Sequence, residues 1–373
     1  MTNNTNTIID RPLDEQNDEV SSNEDLFNIT SWGADLSFRE LIAMYNDNEL
    51  TKPEIQRKYV WSKFEASRFI ESILMGLPVP SIFLYKQHNN KYLIIDGFQR
   101  IMSIFEFVEK GIFSGDKSIF ALSNSKRLNE RWRNKTFNQL SEEEQRKIKT
   151  YIIHAIIFEQ KLPKGDTSLF QIFERINTGG RSLNDQEIRN CVYQGPFNKE
   201  LLKANNFPDW RELYDKNNEE DNRMLDIELI LRFVAMYSLD LDTIEKRSIS
   251  LKTLLNSFMK NNQYADNENL INIFKKTVSF LKNNIGDNVF VNYNFENNKN
   301  MNTIKTTIFD AIMIATAKYK KEGFANLAER RYNLLKDPKF IEYSSNRTTD
   351  TISIRNRINL AANYLYDANL DII

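Results

Sequence analysis

Asp96-Gly97-Phe98-Gln99-Arg100 combines residue types and spacing that suit phosphate chemistry. The string follows Tyr92-Leu93-Ile94-Ile95, an apolar run that reads as a strand. It precedes Ile101, Ile104, Phe105 and Val108, whose spacing reads as a helix. A strand that enters a helix through glycine leaves backbone N–H groups and positive dipole potential at the turn. Gly97 lets an anion approach the backbone, and Arg100 can add a bidentate contact to phosphate. Asp96 could hold a divalent cation that neutralises a polyphosphate, while Gln99 could position a water or a phosphate oxygen. The same residues admit a plainer reading, in which Asp96 caps the helix and Arg100 joins a surface ion pair.

The elements that must position this string flank it on both sides. Ser62-Lys63-Phe64-Glu65 is a capping box, followed by Phe69, Ile70, Ile73, Leu74 and Leu77 on one stripe. That pattern predicts a helix from about Lys63 to Met75, ended by Gly76. Residues 81–86 and 91–96 are apolar runs parted by Gln87-His88-Asn89-Asn90, which reads as a β-hairpin with a polar turn. Residues 36–45 have the spacing of a short amphipathic helix, and Gly111 ends the helix that follows Arg100. Ser141-Glu142-Glu143-Glu144 caps a further short helix, and residues 151–158 read as a buried strand.

Residues 161–166 have the composition of a linker, and beyond them the periodicity is helical. Leu225–Tyr237 is apolar over more than one face, as in the centre of a bundle. The chain therefore reads as α+β. Residues 1–29 form a lead with too few large apolar groups to offset ordering entropy, and are expected to be disordered. An α/β domain spans 30–160 and a mainly α-helical domain spans 161–373, with the ligand where the two meet.

With 373 residues the chain is long enough for two packed domains. Fifty basic residues stand against 51 acidic ones, so contact with DNA would have to come from a local patch. The most basic stretch, residues 126–135, holds Lys126, Arg127, Arg131, Arg133 and Lys135 around Trp132. A nucleic-acid patch has this composition, but so does a solvated charged insertion, which is the commoner case. Cys191 is the only cysteine, which excludes an internal disulfide framework and suits a reducing cytosol. No stretch approaches the roughly 20 apolar residues of a membrane span, and the N-terminus lacks the regions of a secretion signal. The chain is expected to be cytoplasmic, without a membrane partner. His88 and His154 are the only histidines, too few for an HNH centre or a zinc cluster. Neither a Walker A string nor a Ser/His/Asp arrangement is present.

Four segments share an order and spacing with a known family. They are Pro53-Glu54-Ile55-Gln56-Arg57-Lys58-Tyr59-Val60-Trp61, Gly76-Leu77-Pro78-Val79-Pro80, Ile95-Asp96-Gly97-Phe98-Gln99-Arg100 and Phe173-Glu174-Arg175-Ile176-Asn177-Thr178-Gly179-Gly180. Together they resemble the N-terminal domain of GmrSD-type restriction proteins, from about residue 38 to 190, with a weaker continuation at Asn222-Arg223-Met224. The resemblance implies a fold similar to ParB and sulfiredoxin. It also implies binding or hydrolysis of nucleoside triphosphates, within systems that restrict modified phage DNA. Carried onto this sequence, it gives Asp96, Gly97, Gln99 and Arg100 to the signature motif. Asp96, Gln99 and Arg100 become the catalytic set, with Asp96 the contact for Mg²⁺. Gln56 and Arg57 fall in a facing, phosphate-contacting loop, and Arg175 and Asn177 in a linker motif that closes over the site.

The chain departs from the family at Phe98, where the usual signature Asp-Gly-Gln-Gln-Arg has its first glutamine. Phe98 extends the stripe of Ile101 and Phe105, so its ring is expected to pack inward. That leaves binding less affected than hydrolysis. Members of the family usually carry an HNH nuclease domain C-terminally, for which this sequence lacks the histidines. Three functions are then open: a nucleoside triphosphate sensor or switch in phage defence, a nuclease acting directly on DNA through carboxylates such as Asp96 and Glu187, and a non-catalytic partner of a separate nuclease subunit. Asn184-Asp185-Gln186-Glu187 also resembles a capping box, which makes Glu187 structural by default.

Overall fold

The structure is a computed structural model that describes residues 9–12, 15, 28–51, 61–162, 169–176, 184–215, 221, 223–240, 247–320 and 323–372. The chain is α+β and divides into two compact units, residues 24–192 and residues 1–23 with 193–373. Among the described residues no helix is long and apolar enough to cross a membrane.

The first unit is built on a sheet of β2 (Asn28–Ser37), β3 (Leu50–Thr51), β4 (Ile82–Lys86), β5 (Tyr92–Asp96) and β8 (Ile152–Leu162), in the order β2-β8-β4-β5-β3. β4 and β5 form the expected antiparallel hairpin. β4 also runs parallel to β8, and β5 parallel to β3. β2 is the long edge strand that periodicity did not reveal, paired antiparallel with β8 from Asn28 to Ser37.

Helices α1 (Phe38–Asn46), α2 (Lys63–Met75), α3 (Phe98–Phe105) and α4 (Glu142–Thr150) contribute to one core with the sheet, in which Phe38, Ile70, Ile73, Leu84, Ile94, Ile104 and Ile148 are buried. Three of the four begin at reciprocal boxes. Ser62 N–H donates to Glu65 Oε2 at 2.7 Å, and Ser141 with Glu144 and Ser37 with Glu40 repeat the arrangement. Gly76 closes α2 in the left-handed conformation. α3 runs on into a single π turn, Glu106–Lys110, before Gly111 ends it, and the short strands β6 (Ile112–Phe113) and β7 (Ser118–Ile119) follow. Leu93 and Ile95 alternate with Ile94 and are also buried, so β5 is covered on both faces.

The boundary between the units falls beyond Gln160. After β8 come α5 (Leu169–Ile176), which packs against β5, and α6 (Asp185–Val192), which packs against α5. Both belong to the first unit; of the linker expected at 161–166, Lys161 and Leu162 extend β8 and residues 163–166 lie outside the described residues.

The second unit contains α7 (Pro196–Asn205), α8 (Pro208–Tyr214), α9 (Leu225–Tyr237), α10 (Leu251–Asn262), α11 (Glu268–Asn284), α12 (Thr306–Tyr319), α13 (Leu327–Lys336), α14 (Pro338–Tyr343) and α15 (Thr351–Tyr366). α9 and α12 are buried on nearly every face, as the all-round apolar sequence of α9 predicts. Trp210 meets Phe274 and Phe309 edge-on near this centre. The unit also holds a small sheet. β9 (Val291–Asn294) and β10 (Lys299–Lys305) make a hairpin, and β1 (Ile9–Asp10) adds parallel to β10, with Ile9 opposite Ile304. The lead is therefore not wholly disordered, because Ile9 and the side chain of Glu15 are buried in this unit. Among the described residues of the lead, Ile9, Arg11 and Glu15 supply these contacts, individual residues that composition does not single out.

Candidate functional site

Gly97 is the pivot of the first unit's candidate site. It has φ 98° and forms the N-terminal boundary of α3, and a Cβ there would fall 2.4 Å from Ile82 Cγ2. A side chain is thus excluded twice, by conformation and by the neighbouring strand. Glycine offers no side chain to cap α3, and Ile101 is the first residue whose N–H turns back to Gly97 O. The backbone donors of the first turn, at Phe98, Gln99 and Arg100, precede it. Asp96 is therefore not the cap that the plainer reading makes it.

The ion pair of that reading does form. Arg100 Nη2 donates to Asp96 Oδ2 at 2.6 Å and to the backbone oxygen of Ser81 at 3.1 Å. Ser81 directly follows Pro78-Val79-Pro80, so the carbonyl that orients the arginine lies next to the segment resembling the family's second motif. The Asp96 side chain is 42 % exposed and that of Arg100 14 %, so the carboxylate meets solvent while the guanidinium lies mostly against protein. Arg100 Nε and Gln99 Nε2 are buried without a hydrogen-bond partner. Gln99 Oε1 accepts a long bond, 3.4 Å, from the Trp61 N–H. Unused donors on two adjacent residues, beside an uncapped helix N-terminus and an exposed carboxylate, suit an oxyanion and a cation together.

Phe98 is partly buried and packs against the core that contains Ile101 and Phe105, as its place on the stripe predicts. Trp61 packs against the same core and meets Phe69 edge-on at 5.6 Å. Arg175 lies exposed in the last turn of α5, the helix packed against β5. Gln56, Arg57 and Asn177 lie outside the described residues, as do Gly179 and Gly180.

Glu187 is a capping residue. Asn184 N–H donates to Glu187 Oε2 at 2.7 Å, and Glu187 N–H to Asn184 Oδ1 at 2.8 Å. Its neighbours were not singled out by sequence reasoning, yet Gln186, Arg189 and Asn190 are all buried, with Arg189 Nε held by Gln186 Oε1 at 2.8 Å. Polar residues on consecutive turns of a helix look solvent-facing until the helix is placed, so no sequence signal distinguished them. Among the described residues no cluster of three or more His, Cys, Asp or Glu side chains could hold a metal ion.

The basic stretch 126–135 is organised from within. Trp132 is buried, and its indole donates to Glu144 Oε1 at 2.8 Å, where Arg131 also pairs at 2.7 Å. Arg133 donates to the backbone oxygens of Leu128 and Lys126, and Glu71 accepts the Asn129 N–H at 2.6 Å. Burial alone would raise the Glu144 carboxyl, but the bonds from Trp132 and Ser141 and the charge of Arg131 outweigh it and hold it at about 2. Trp132 is thus a packing residue, and two of the five cations serve the loop itself.

Comparison with known families places the model of the GmrSD restriction endonuclease N-terminal domain on residues 38–194. That span holds all the site residues considered above and ends two residues from the boundary of the first compact unit. Searches of curated proteins and of solved structures returned no match.

Proposed function

We propose, from the match of residues 38–194 to the GmrSD restriction endonuclease N-terminal domain, that the chain acts in restriction and phage defence and that this domain binds a nucleoside triphosphate at the Asp96–Arg100 turn as a sensor or switch. The observation that carries the reading is the pair of buried, unpartnered donors, Arg100 Nε and Gln99 Nε2, at an uncapped helix N-terminus. Buried donors without partners are rare and costly, and a phosphate oxygen would satisfy them. Asp96 fits Mg²⁺ in the usual manner of nucleotide sites, where one carboxylate and the substrate's own phosphates share the ion. There Mg²⁺ would offset phosphate charge. Asp96 would turn from Arg100 toward the cation, and the freed guanidinium would turn toward phosphate.

Arg100→Ala should weaken triphosphate affinity at least about tenfold, from the roughly 1.5 to 3 kcal/mol of a charged hydrogen bond. Calorimetry with Mg²⁺ present measures this, and equal affinity for variant and parent removes the site. Stability should change by less than about 1 kcal/mol, because the Asp96 partner is half in solvent.

The packing of Phe98 favours a second reading, in which the domain binds nucleotide without turnover and serves a separate nuclease subunit. Phosphate release from the bound triphosphate, followed with and without Mg²⁺, separates the two. The direct-nuclease reading has lost one of its carboxylates, since Glu187 is engaged as a cap.

A further inference from the structure

The second unit holds an arginine site of a different kind. Arg232 of α9 and Arg357 of α15 have side chains 3 % and 0 % exposed, and both reach Asp310 of α12. Arg232 Nε donates to Asp310 Oδ1 at 2.6 Å, and Arg357 Nη2 lies 3.3 Å from Oδ2. The other edge of Arg232 faces Glu15. Its Nη1 and Nη2 donate to Oε2 and Oε1 at 2.9 and 2.8 Å, fork against fork, and Thr306 Oγ1 donates to Oε2 at 3.1 Å.

Thr306 is the first residue of α12, a helix of 14 residues whose N-terminus has no side-chain cap. The Glu15 carboxylate therefore sits where an uncapped helix, a hydroxyl and a fully buried guanidinium converge, as at a phosphate site. Lys305 adjoins it. Burial lowers the pKa of that ammonium, while the charges of Asp10 and Glu15 oppose the fall. Without Glu15, Arg232 and Arg357 would share the carboxylate of Asp310, and Lys305 would keep only the charge of Asp10. The buried Arg357 also keeps one donor, Nε, without a partner. Among the described residues around Glu15, the two residues of β1 and the ion pair of Arg11 with Glu228 at 2.7 Å join the segment to the unit.

We propose that this is an anion-receptor site for a phosphate dianion, free or as the terminal group of a nucleotide, and that Glu15 is an internal ligand which phosphate displaces. A dianion balances the cations better than one carboxylate, and its additional oxygens can meet the unused Arg357 donor. Displacement would release β1 from β10 and convert phosphate binding into exposure of the N-terminal segment.

Hydrogen exchange on the intact protein tests this, read at Ile9–Asp10 and so separately from the Asp96 site. Inorganic phosphate should accelerate exchange there, and chloride at equal ionic strength should not. In Glu15→Gln the internal charge is gone, so phosphate should raise the melting temperature with a half-saturating concentration at least about tenfold below the parent's. Either result sustains the proposal. A nucleoside 5′-monophosphate run in parallel identifies the source, being tighter than phosphate for an ester site and equal for a free-phosphate site. Unchanged exchange in the parent, together with equal phosphate stabilisation of parent and variant, overturns it. Should Glu15→Gln not fold, the exchange measurement on the parent decides alone.

Discussion

Arg100 and Arg232 each grip a carboxylate through Nη2, at 2.6 Å to Asp96 and 2.8 Å to Glu15. Their surroundings differ in every other respect. Asp96 ends β5, four residues before its partner, and 42 % of its side chain meets solvent. Glu15 comes from 217 residues away and its side chain is 1 % exposed. Water can replace Arg100 at Asp96 with little loss, so that pair can open for a ligand as an ordinary fluctuation. Opening the Glu15 pair uncovers a buried guanidinium, so it should open only when another anion takes its place. The same two functional groups thus make a loose contact in one unit and a closed one in the other, and burial decides which.

The contrast breaks most sharply at Asp310. Asp310→Ala leaves Arg232 and Arg357 buried with one carboxylate fewer, and should cost about 3 to 5 kcal/mol, measured by urea denaturation. A loss below about 1 kcal/mol would mean that the second unit's network is no more committed than a surface pair. Gly97→Ala tests whether the looser site nevertheless rests on a rigid turn. Left-handed strain and the clash with Ile82 should together cost about 2 to 4 kcal/mol, and triphosphate binding should fall with it. An alanine that leaves both unchanged would show that the turn yields. Phe98→Gln is expected to have the smallest effect, a loss of about 1 to 2 kcal/mol with no gain in phosphate release. Faster turnover at unchanged melting temperature would place the ring in the pocket instead of against Ile101 and Phe105.

Local chemistry made much of the first unit legible. Ser62 with Glu65, Ser141 with Glu144 and Asn184 with Glu187 announced caps because both partners lie within four residues, and each pair forms reciprocally. The strand, glycine and helix around Asp96 could be read for the same reason, and so could Phe98 on its stripe. What escaped depends on distant partners. β2 is largely exposed and is a strand because β8, more than a hundred residues on, pairs with it. Trp132 and its arginines look like a nucleic-acid patch until Glu144 is placed among them. Gln186, Arg189 and Asn190 look solvent-facing until α6 is buried. Glu15, an acidic residue in an acidic lead, carries no local sign of the guanidinium it meets.

The pairing of Ile9 with Ile304 also fixes an order of events during synthesis. Residues 24–192 form a continuous stretch whose contacts are complete once its own last helix has left the ribosome, so it can fold while the rest is still being made. The second unit cannot close at that stage. Its first strand is made before the first unit and must wait for β10, whose partner residues lie nearly three hundred positions later. Closure of so long a loop carries an entropy cost, and it can follow the folding of residues 24–192, which lie between its ends.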